Sequence, residues 1–274
     1  MLVRFWGVRG SVAYATPESI GHGCNTPCVE VVDERTNRRL ILDAGSGLVG
    51  LSAELSAALS ATLSGASDVS ILLTHYHWDH LHGLPFFAPL YQSGRNVTIW
   101  APELGPASAD VEKIFGPPFF PVTVDRLSSR PRVERIAEGE TTIDGFQISA
   151  QRLNHPGGSL AYRIRGATGD LVYATDHEFG NAGIDDALRR FASGASHVIL
   201  DSHLSPAEVE SHRGRGHSDW QRCARFASEC RAGTLWLFHH KPGRSDADVA
   251  RFEAEARKLF RQTNASKEGV TFVV

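Results

Sequence analysis

Residues Thr74–Gly83 read T-H-Y-H-W-D-H-L-H-G. Four imidazoles and one carboxylate fall between His75 and His82. The stretch follows an apolar run, Val69-Ser70-Ile71-Leu72-Leu73, with the length and branching of a buried strand. In open α/β sheets, ligand groups gather just past the carboxyl ends of strands. His75 and His77 are two apart, so in near-extended backbone both rings point to one side. Asp79 and His80 follow directly and face a neighbouring point. That arrangement suits two adjacent metal ions better than one. Neutral imidazole with carboxylate suits zinc, iron or manganese. The plain alternative is a chance gathering of loop histidines, and His82 reads as such a bystander.

The elements that must position this cluster are legible as further apolar runs. Strands are expected at Leu2–Val8, Cys28–Val32, Arg39–Leu42, Val97–Trp100, Gly145–Leu153, Leu160–Ile164, Leu171–Ala174, Val198–Leu200, Thr234–Phe238 and Val270–Val274. Leu48, Leu51, Leu55, Leu59 and Leu63 recur at helical spacing, predicting a core-facing helix over 47–63. Short helices are expected from Leu84 to Tyr91 and from Ala187 to Phe191. Ser205–Glu208 and Ser218–Gln221 read as capping boxes, the second opening a helix to about Arg231. Ser245–Phe260 is the last long helix, with Val249, Phe252, Ala256, Leu259 and Phe260 inward. Strands ending at 42, 73, 153, 174 and 238 are each followed by ligand-type residues: Asp43, the His75–His80 cluster, His155, Asp176 and His239. Carboxylates and imidazoles buried together at one sheet edge are costly unless paired or metal-bound. Asp43 reads either as a helix-start residue or as a carboxylate holding a ligating histidine by its free ring N–H. Residues 101–122 carry Pro117, Pro118 and Pro121, which bar a regular helix or central strand. Their Phe115, Phe119 and Phe120 either fill a satellite core or form a lid that stacks on a base.

His75-x-His77-x-Asp79-His80 resembles the signature of the metallo-β-lactamase superfamily. The similarity extends over V-R-F-W-G-V-R-G-S, C-N-T-P-C-V-E-V, L-N-H-P-G-G, Y-A-T-D and L-F-H-H-K-P, nearly the whole chain. The resemblance implies one α/β domain over residues 1–274, an αββα sandwich of two mixed sheets flanked by helices. It implies His75, His77 and His155 on a first divalent cation, and Asp79, His80 and His239 on a second. Asp176 bridges both, and Asp43 takes the orienting role. His240 competes with His239 for the last place. Zinc is the expected metal, with manganese or iron as alternatives. The run R-G-R-G-His217-S-D-W resembles the G-H-S/T element of the phosphodiesterase branch, which holds RNase Z and cyclic-phosphate phosphodiesterases. The implied chemistry is phosphodiester hydrolysis by metal-bridged hydroxide attack, with Asp79 and His217 catalytic and His217 protonating the leaving group. His217 is expected at a helix start, where backbone N–H groups favour phosphate. Glu178 or Asp201 is expected to orient it. Arg213 and Arg215 are candidates for a phosphate tail, Asn25 for the pocket mouth, and Phe119 and Phe120 for base stacking. His22 and Cys24 depart from the branch's usual aromatic and glycine.

Composition bounds the partners. The formal charge is −3, from 28 basic and 31 acidic residues. No global cationic field exists to hold long nucleic acid. A long basic, glycine-rich arm of the RNase Z kind is also missing from the sequence. The expected substrate is therefore small, a cyclic nucleotide or short phosphodiester. RNA 3′-end cleavage is the alternative, and a non-catalytic nucleotide sensor a third reading from another class. Four cysteines at 24, 28, 223 and 230 lack zinc-site spacing and read as free thiols in a reducing cytoplasm. No apolar run approaches the ~18 residues of a membrane span, and a homodimer is expected from the branch.

Overall fold

The computed structural model describes residues 1–61 and 69–274, and the side chains of all of these except 57–61. Six strands open the chain: β1 (Leu2–Gly7), β2 (Cys28–Asp33), β3 (Arg38–Leu42), β4 (Val69–Leu72), β5 (Val97–Pro102) and β6 (Arg132–Ile136). Eight follow: β7 (Gly139–Ile143), β8 (Phe146–Leu153), β9 (Ser159–Arg165), β10 (Asp170–Ala174), β11 (His197–Asp201), β12 (Thr234–Phe238), β13 (Thr263–Ala265) and β14 (Thr271–Val273). They form two seven-stranded sheets, ordered β14-β1-β2-β3-β4-β5-β6 and β13-β12-β11-β10-β9-β8-β7. The α-helices are α1 (Gly47–Ala61), α2 (Ala182–Phe191), α3 (Trp220–Glu229) and α4 (Asp246–Leu259).

Three apolar layers hold the sandwich. Val3, Phe5, Leu40, Ile148, Tyr162 and Phe238 pack between the sheets. Leu48, Leu51 and Leu55 of α1 pack on Ile41, Val69 and Ile71 of the first sheet. Leu188, Phe226 and Ala256, from the other three helices, pack on Val172, Val198 and Leu235 of the second. Each fully buried Leu, Ile or Phe contributes about 1.5–3 kcal/mol. β4 is buried at all four positions, as a parallel strand covered on both faces must be. The expected α/β fold of two mixed sheets flanked by helices is thus the observed one.

The directions of the strands place the site. β3 and β4 run parallel, as do β10, β11 and β12. β9 is antiparallel to both β8 and β10, so β8 points the same way as β10. The carboxyl ends of β8, β10, β11 and β12 therefore share one edge of the second sheet. The two sheets are tied there, since Leu160 N–H donates to Thr74 O at 2.9 Å and Tyr162 OH to Leu73 O at 2.5 Å.

Several local expectations are corrected. Leu84–Tyr91 is not one helix but two 3₁₀ turns, Leu84–Phe86 and Ala88–Tyr91; Pro85 and Pro89 remove the N–H groups a longer helix needs. α2 starts at Ala182 rather than Ala187, capped by Asn181 Oδ1 on Ile184 N–H. Ser205 does form a capping box, but on a three-residue 3₁₀ turn. The cap of α3 is Asp219, which accepts from Gln221 and Arg222 N–H; Ser218 instead donates its hydroxyl to His177 O. Leu259, expected inward, is 42% exposed, while Phe260 packs inward as expected. β6, β7 and β13 were not foreseen, being polar or short. Leu59 and Leu63 lie outside the described side chains.

Candidate metal centre

Three of the expected site residues leave their strands through a left-handed turn. Asp43, Asp176 and His239 follow β3, β10 and β12 with φ of 61°, 58° and 59°. Non-glycine residues rarely adopt this left-handed conformation, and holding one there costs on the order of 1–3 kcal/mol. Here it turns three side chains from the strand ends into one volume.

Two groups meet in that volume. His75, His77 and His155 form the first, with ring centroids 4.6–4.8 Å apart. His155 Nε2 and His77 Nδ1 face each other at 2.9 Å. Asp79, His80 and His239 form the second. Asp79 Oδ2 lies 3.4 Å from His80 Nε2 and 3.3 Å from His239 Nε2. Asp176 stands between the groups. Its Oδ2 is 3.3 Å from His80 Nε2 and 3.4 Å from His239 Nε2, while its Oδ1 is 3.8 Å from His155 Nε2. All but His77 are buried.

The donor set fits cations. His75 Nε2 and His80 Nε2 are buried without a hydrogen-bond partner; His80 Nε2 is near two carboxylates but not aligned with either. Buried polar atoms of this kind normally have partners. Burial pushes the His75 imidazolium down, and neighbouring His80 adds to this. Burial likewise takes His155 down to about 4 against the opposing pull of Asp176. Both rings are therefore neutral lone-pair donors. His80 runs the other way: burial disfavours its charge, but Asp43, Asp79 and Asp176 outweigh that and raise it well above the ordinary value. Without a cation, His80 must hold a proton to offset these carboxylates. A divalent ion held here would take the place of that proton.

The ligand rings are fixed from behind. Asp43 accepts His80 Nδ1–H at 2.8 Å, Thr74 N–H at 2.7 Å and Tyr173 OH at 2.8 Å. That places the His80 proton on Nδ1 and frees Nε2 for the site. Gly216 O accepts His155 Nδ1–H at 2.9 Å. A Cβ at Gly216 would lie 2.0 Å from His155 Nδ1, at a φ of +83°, so only glycine fits. Ser11 N–H donates to Asp79 Oδ2 at 2.7 Å, and a Cβ at Gly10 would lie 2.3 Å from the His239 ring. The N-terminal loop thus closes over the second group.

His217 borders the cluster. Its Nδ1 is 2.6 Å from Asp201 Oδ2 and 3.8 Å from Asp176 Oδ1. Burial lowers its pKa, but Asp201, then Asp176 and Asp79, overcome this and raise it to about 9. Its ring stacks on His239 at 5.1 Å and on His203 at 4.3 Å.

The beta-lactamase superfamily domain matches residues 38–240, from the start of β3 to the residue after His239. The chain belongs to the beta-lactamase superfamily. Among curated relatives, the Ribonuclease BN of Cronobacter sakazakii is 25% identical over 271 residues, covering 79% of this chain and 85% of its own. Among solved structures, the metallo-beta-lactamase fold protein YhfI of Bacillus subtilis superposes with a TM-score of 0.69 at 21% identity, covering 99% and 98% of the two chains. A diphosphatase of the PhnP family gives 0.69 at 17% identity, covering 100% and 97%. No helix among the described residues is long and apolar enough to cross a membrane.

In this superfamily member, several candidate residues lie elsewhere than expected. His240 turns away from the cluster to Ser266 O, 3.1 Å from its Nε2. Glu178 does not touch His217; its carboxylate accepts Gly214 and Gly216 N–H at 2.8 and 2.7 Å. Asp201 alone of that pair reaches His217. His217 lies three residues before α3, whose first amides are already capped by Asp219, so this helix offers no free phosphate seat. Arg213 pairs with Glu210 at 2.6 Å and Arg215 is exposed on the same turn. Asn25 is tied to Glu268 and Ser46. Phe115 is buried, and Phe120 packs on it and on Phe86, so this part of 101–122 is a satellite core. Phe119 is 75% exposed. The site neighbours that sequence reasoning missed are the Ser11 amide, Gly216 O, Thr74, Tyr173 and His203. Only Thr74, adjoining the cluster, carried a sequence signal.

Proposed function

We propose that this chain is a phosphodiesterase that works with two divalent cations, most simply zinc. The observation that carries this reading is the position of Asp176 between two ligand groups, with the His217–Asp201 pair beside it. His75, His77 and His155 would hold one ion, and Asp79, His80 and His239 the other, with Asp176 shared. Such a pair of ions supplies a water acidified toward neutrality and offsets the charge that grows on phosphoryl oxygens. Four buried carboxylates, Asp43, Asp79, Asp176 and Asp201, would balance the four positive charges of two divalent ions.

The chain's own residues supply the rest. Asp201 accepts from His217 Nδ1, which leaves Nε2 to hand a proton to the leaving oxygen. Asp201 holds the His217 pKa up at about 9, and positive charge gathered beside Asp176 would pull it down. Asp201 also accepts His203 N–H at 2.9 Å, so its carboxylate is fixed before substrate arrives. The proposed compartment is the cytoplasm, where the four free cysteines would stay reduced.

A small substrate is favoured. Basic side chains near the mouth are largely spent on acidic partners: Arg213 on Glu210, and Lys241 and Arg244 on Glu208. Leu104 and Ala107 close against Gly158 and Gly157 beside His155, which narrows that side. RNA cleavage is the second reading, favoured by the span of the Ribonuclease BN match. The test is a panel of bis(p-nitrophenyl) phosphate, 2′,3′- and 3′,5′-cyclic nucleotides and a tRNA precursor with the zinc-loaded protein. Turnover of a cyclic nucleotide with little salt dependence supports the first reading. Selective cleavage of the precursor, with KM rising steeply in salt, supports the second. No turnover of any phosphodiester contradicts both.

A further inference from the structure

Glu178 lies two residues past Asp176, outside both ligand groups and out of reach of the His217 ring. Its carboxylate nevertheless spans the turn that leads into His217. Oε1 accepts Gly214 N–H at 2.8 Å and Oε2 accepts Gly216 N–H at 2.7 Å. Its backbone is pinned to the residue before His155: Glu178 N–H donates to Asn154 O at 2.9 Å, and Asn154 Nδ2 donates to Glu178 O at 2.7 Å. The turn then returns to the site, because Gly216 O takes the His155 Nδ1 proton at 2.9 Å. A closed circuit results, running Asn154–Glu178–Gly216–His155.

The other ties of the turn lie outside its two glycines: Arg215 N–H donates to His212 O at 3.1 Å and Ser218 N–H to Asp201 Oδ1 at 3.3 Å, while the amides of Gly214 and Gly216 go to Glu178. Gly214 and Gly216 have φ of 80° and 83°, Arg213 and Arg215 are exposed, and no helix or strand covers residues 213–218. Glycines in the left-handed region lose much conformational freedom on ordering. A carboxylate that accepts two backbone amides opposes that loss with charge-assisted hydrogen bonds.

The geometry points to Glu178 as a positioning residue for His155 and His217 together. It fixes Gly216 O, which sets the tautomer and tilt of His155, and it fixes the chain one residue before His217. Both its oxygens are taken by backbone amides, and it lies outside both ligand groups. The effect on turnover rests on the phosphodiesterase reading; the effect on cation binding does not.

The test uses Glu178→Ala and Glu178→Gln with the metal-free full-length protein. Glutamine has one acceptor oxygen and keeps at most one of the two amides. Zinc affinities are measured by chelator competition, and His155→Ala identifies which binding step belongs to the His75–His77–His155 group. In Glu178→Ala that step weakens about 10–100-fold, the range for losing a partner behind a ligating histidine, while the other step changes little. Glu178→Gln falls between. In the loaded enzyme kcat drops and KM stays, since no substrate contact is lost. The inference is overturned if both zinc steps and kcat of Glu178→Ala match the wild type. It is equally overturned if both steps weaken together in both variants, the mark of a general structural role. If the wild type turns over no phosphodiester, the functional reading fails while the zinc arm still decides the role of Glu178.

Discussion

Asp43→Asn tests the account where its structure is most explicit. Asp43 is fully buried, and its Oδ1 accepts Thr74 N–H while its Oδ2 accepts His80 Nδ1–H and Tyr173 OH. Asparagine keeps one acceptor oxygen and gains a donor amide. In one orientation that amide opposes Thr74 N–H, 2.7 Å away in the wild type. In the other it opposes the His80 ring and Tyr173, and His80 must move its proton from Nδ1 to Nε2. Nε2 is the nitrogen that faces Asp79 and Asp176, so a proton there blocks the cation. Either way a buried donor loses its acceptor and His80 loses a buried charged partner, a loss worth about 3–5 kcal/mol. For a chain of this size the melting temperature of the metal-free protein should fall by roughly 10 °C. Zinc affinity of the Asp79–His80–His239 group should fall at least about 10–100-fold. The assay is zinc per chain by mass spectrometry after dialysis against a graded chelator, beside a thermal melt. Wild-type zinc content with an unchanged melt would refute the assignment of Asp43 as the group that orients His80.

Three further outcomes follow from the same geometry. Asp201→Asn removes the carboxylate 2.6 Å from His217 Nδ1, so kcat on a substrate with a poor leaving group should fall about 10²–10⁴-fold with both zinc ions retained; an unchanged kcat removes His217 from the acid role. In the metal-free protein His217 should titrate near 9, above its ordinary ~6.5. Its pairing with Asp201 then contributes stability that is fully present below about 6.5 and lost as pH rises through about 9, roughly 3 kcal/mol in all. Ring NMR of the metal-free protein reads this directly, and a midpoint at or below 6.5 contradicts it. Phe5→Ala, at the centre of the inter-sheet layer against Trp236 and Phe238, should cost about 3–5 kcal/mol in denaturant unfolding while leaving zinc stoichiometry at that of the wild type.

The sandwich and the gathering of its strand ends were legible because the buried strands are short apolar runs and the residues after them are chemically conspicuous. His75, His155, Asp176 and His239 each sit one or two residues past such a run, and His77, Asp79 and His80 follow His75 within five residues. The edge strands β6, R-V-E-R-I, and β7, G-E-T-T-I, have no such run and were invisible. The contacts behind the ligands were harder still, since half of each is backbone. Gly216 O and the Ser11 amide look like any other peptide group in a sequence, and their partners lie 61 and 68 residues away. Glu178 was placed near the right loop, but a carboxylate that binds amides leaves no complementary side chain to find. Of the two readings of the aromatic segment, Phe120 takes the satellite-core one, packing on Phe86 and Phe115.

The central claim is that residues past four strand ends hold two cations, with Asp43 at a fifth orienting His80, and that the two cations together make the chain a hydrolase. Its most direct test is stoichiometric reconstitution of the metal-free protein with zinc, following bis(p-nitrophenyl) phosphate turnover at each addition. Turnover should climb to a break at two zinc per chain, and Asp176→Ala, which removes the shared carboxylate, should abolish the rise. Full turnover at one zinc per chain, or turnover indifferent to zinc, contradicts the account.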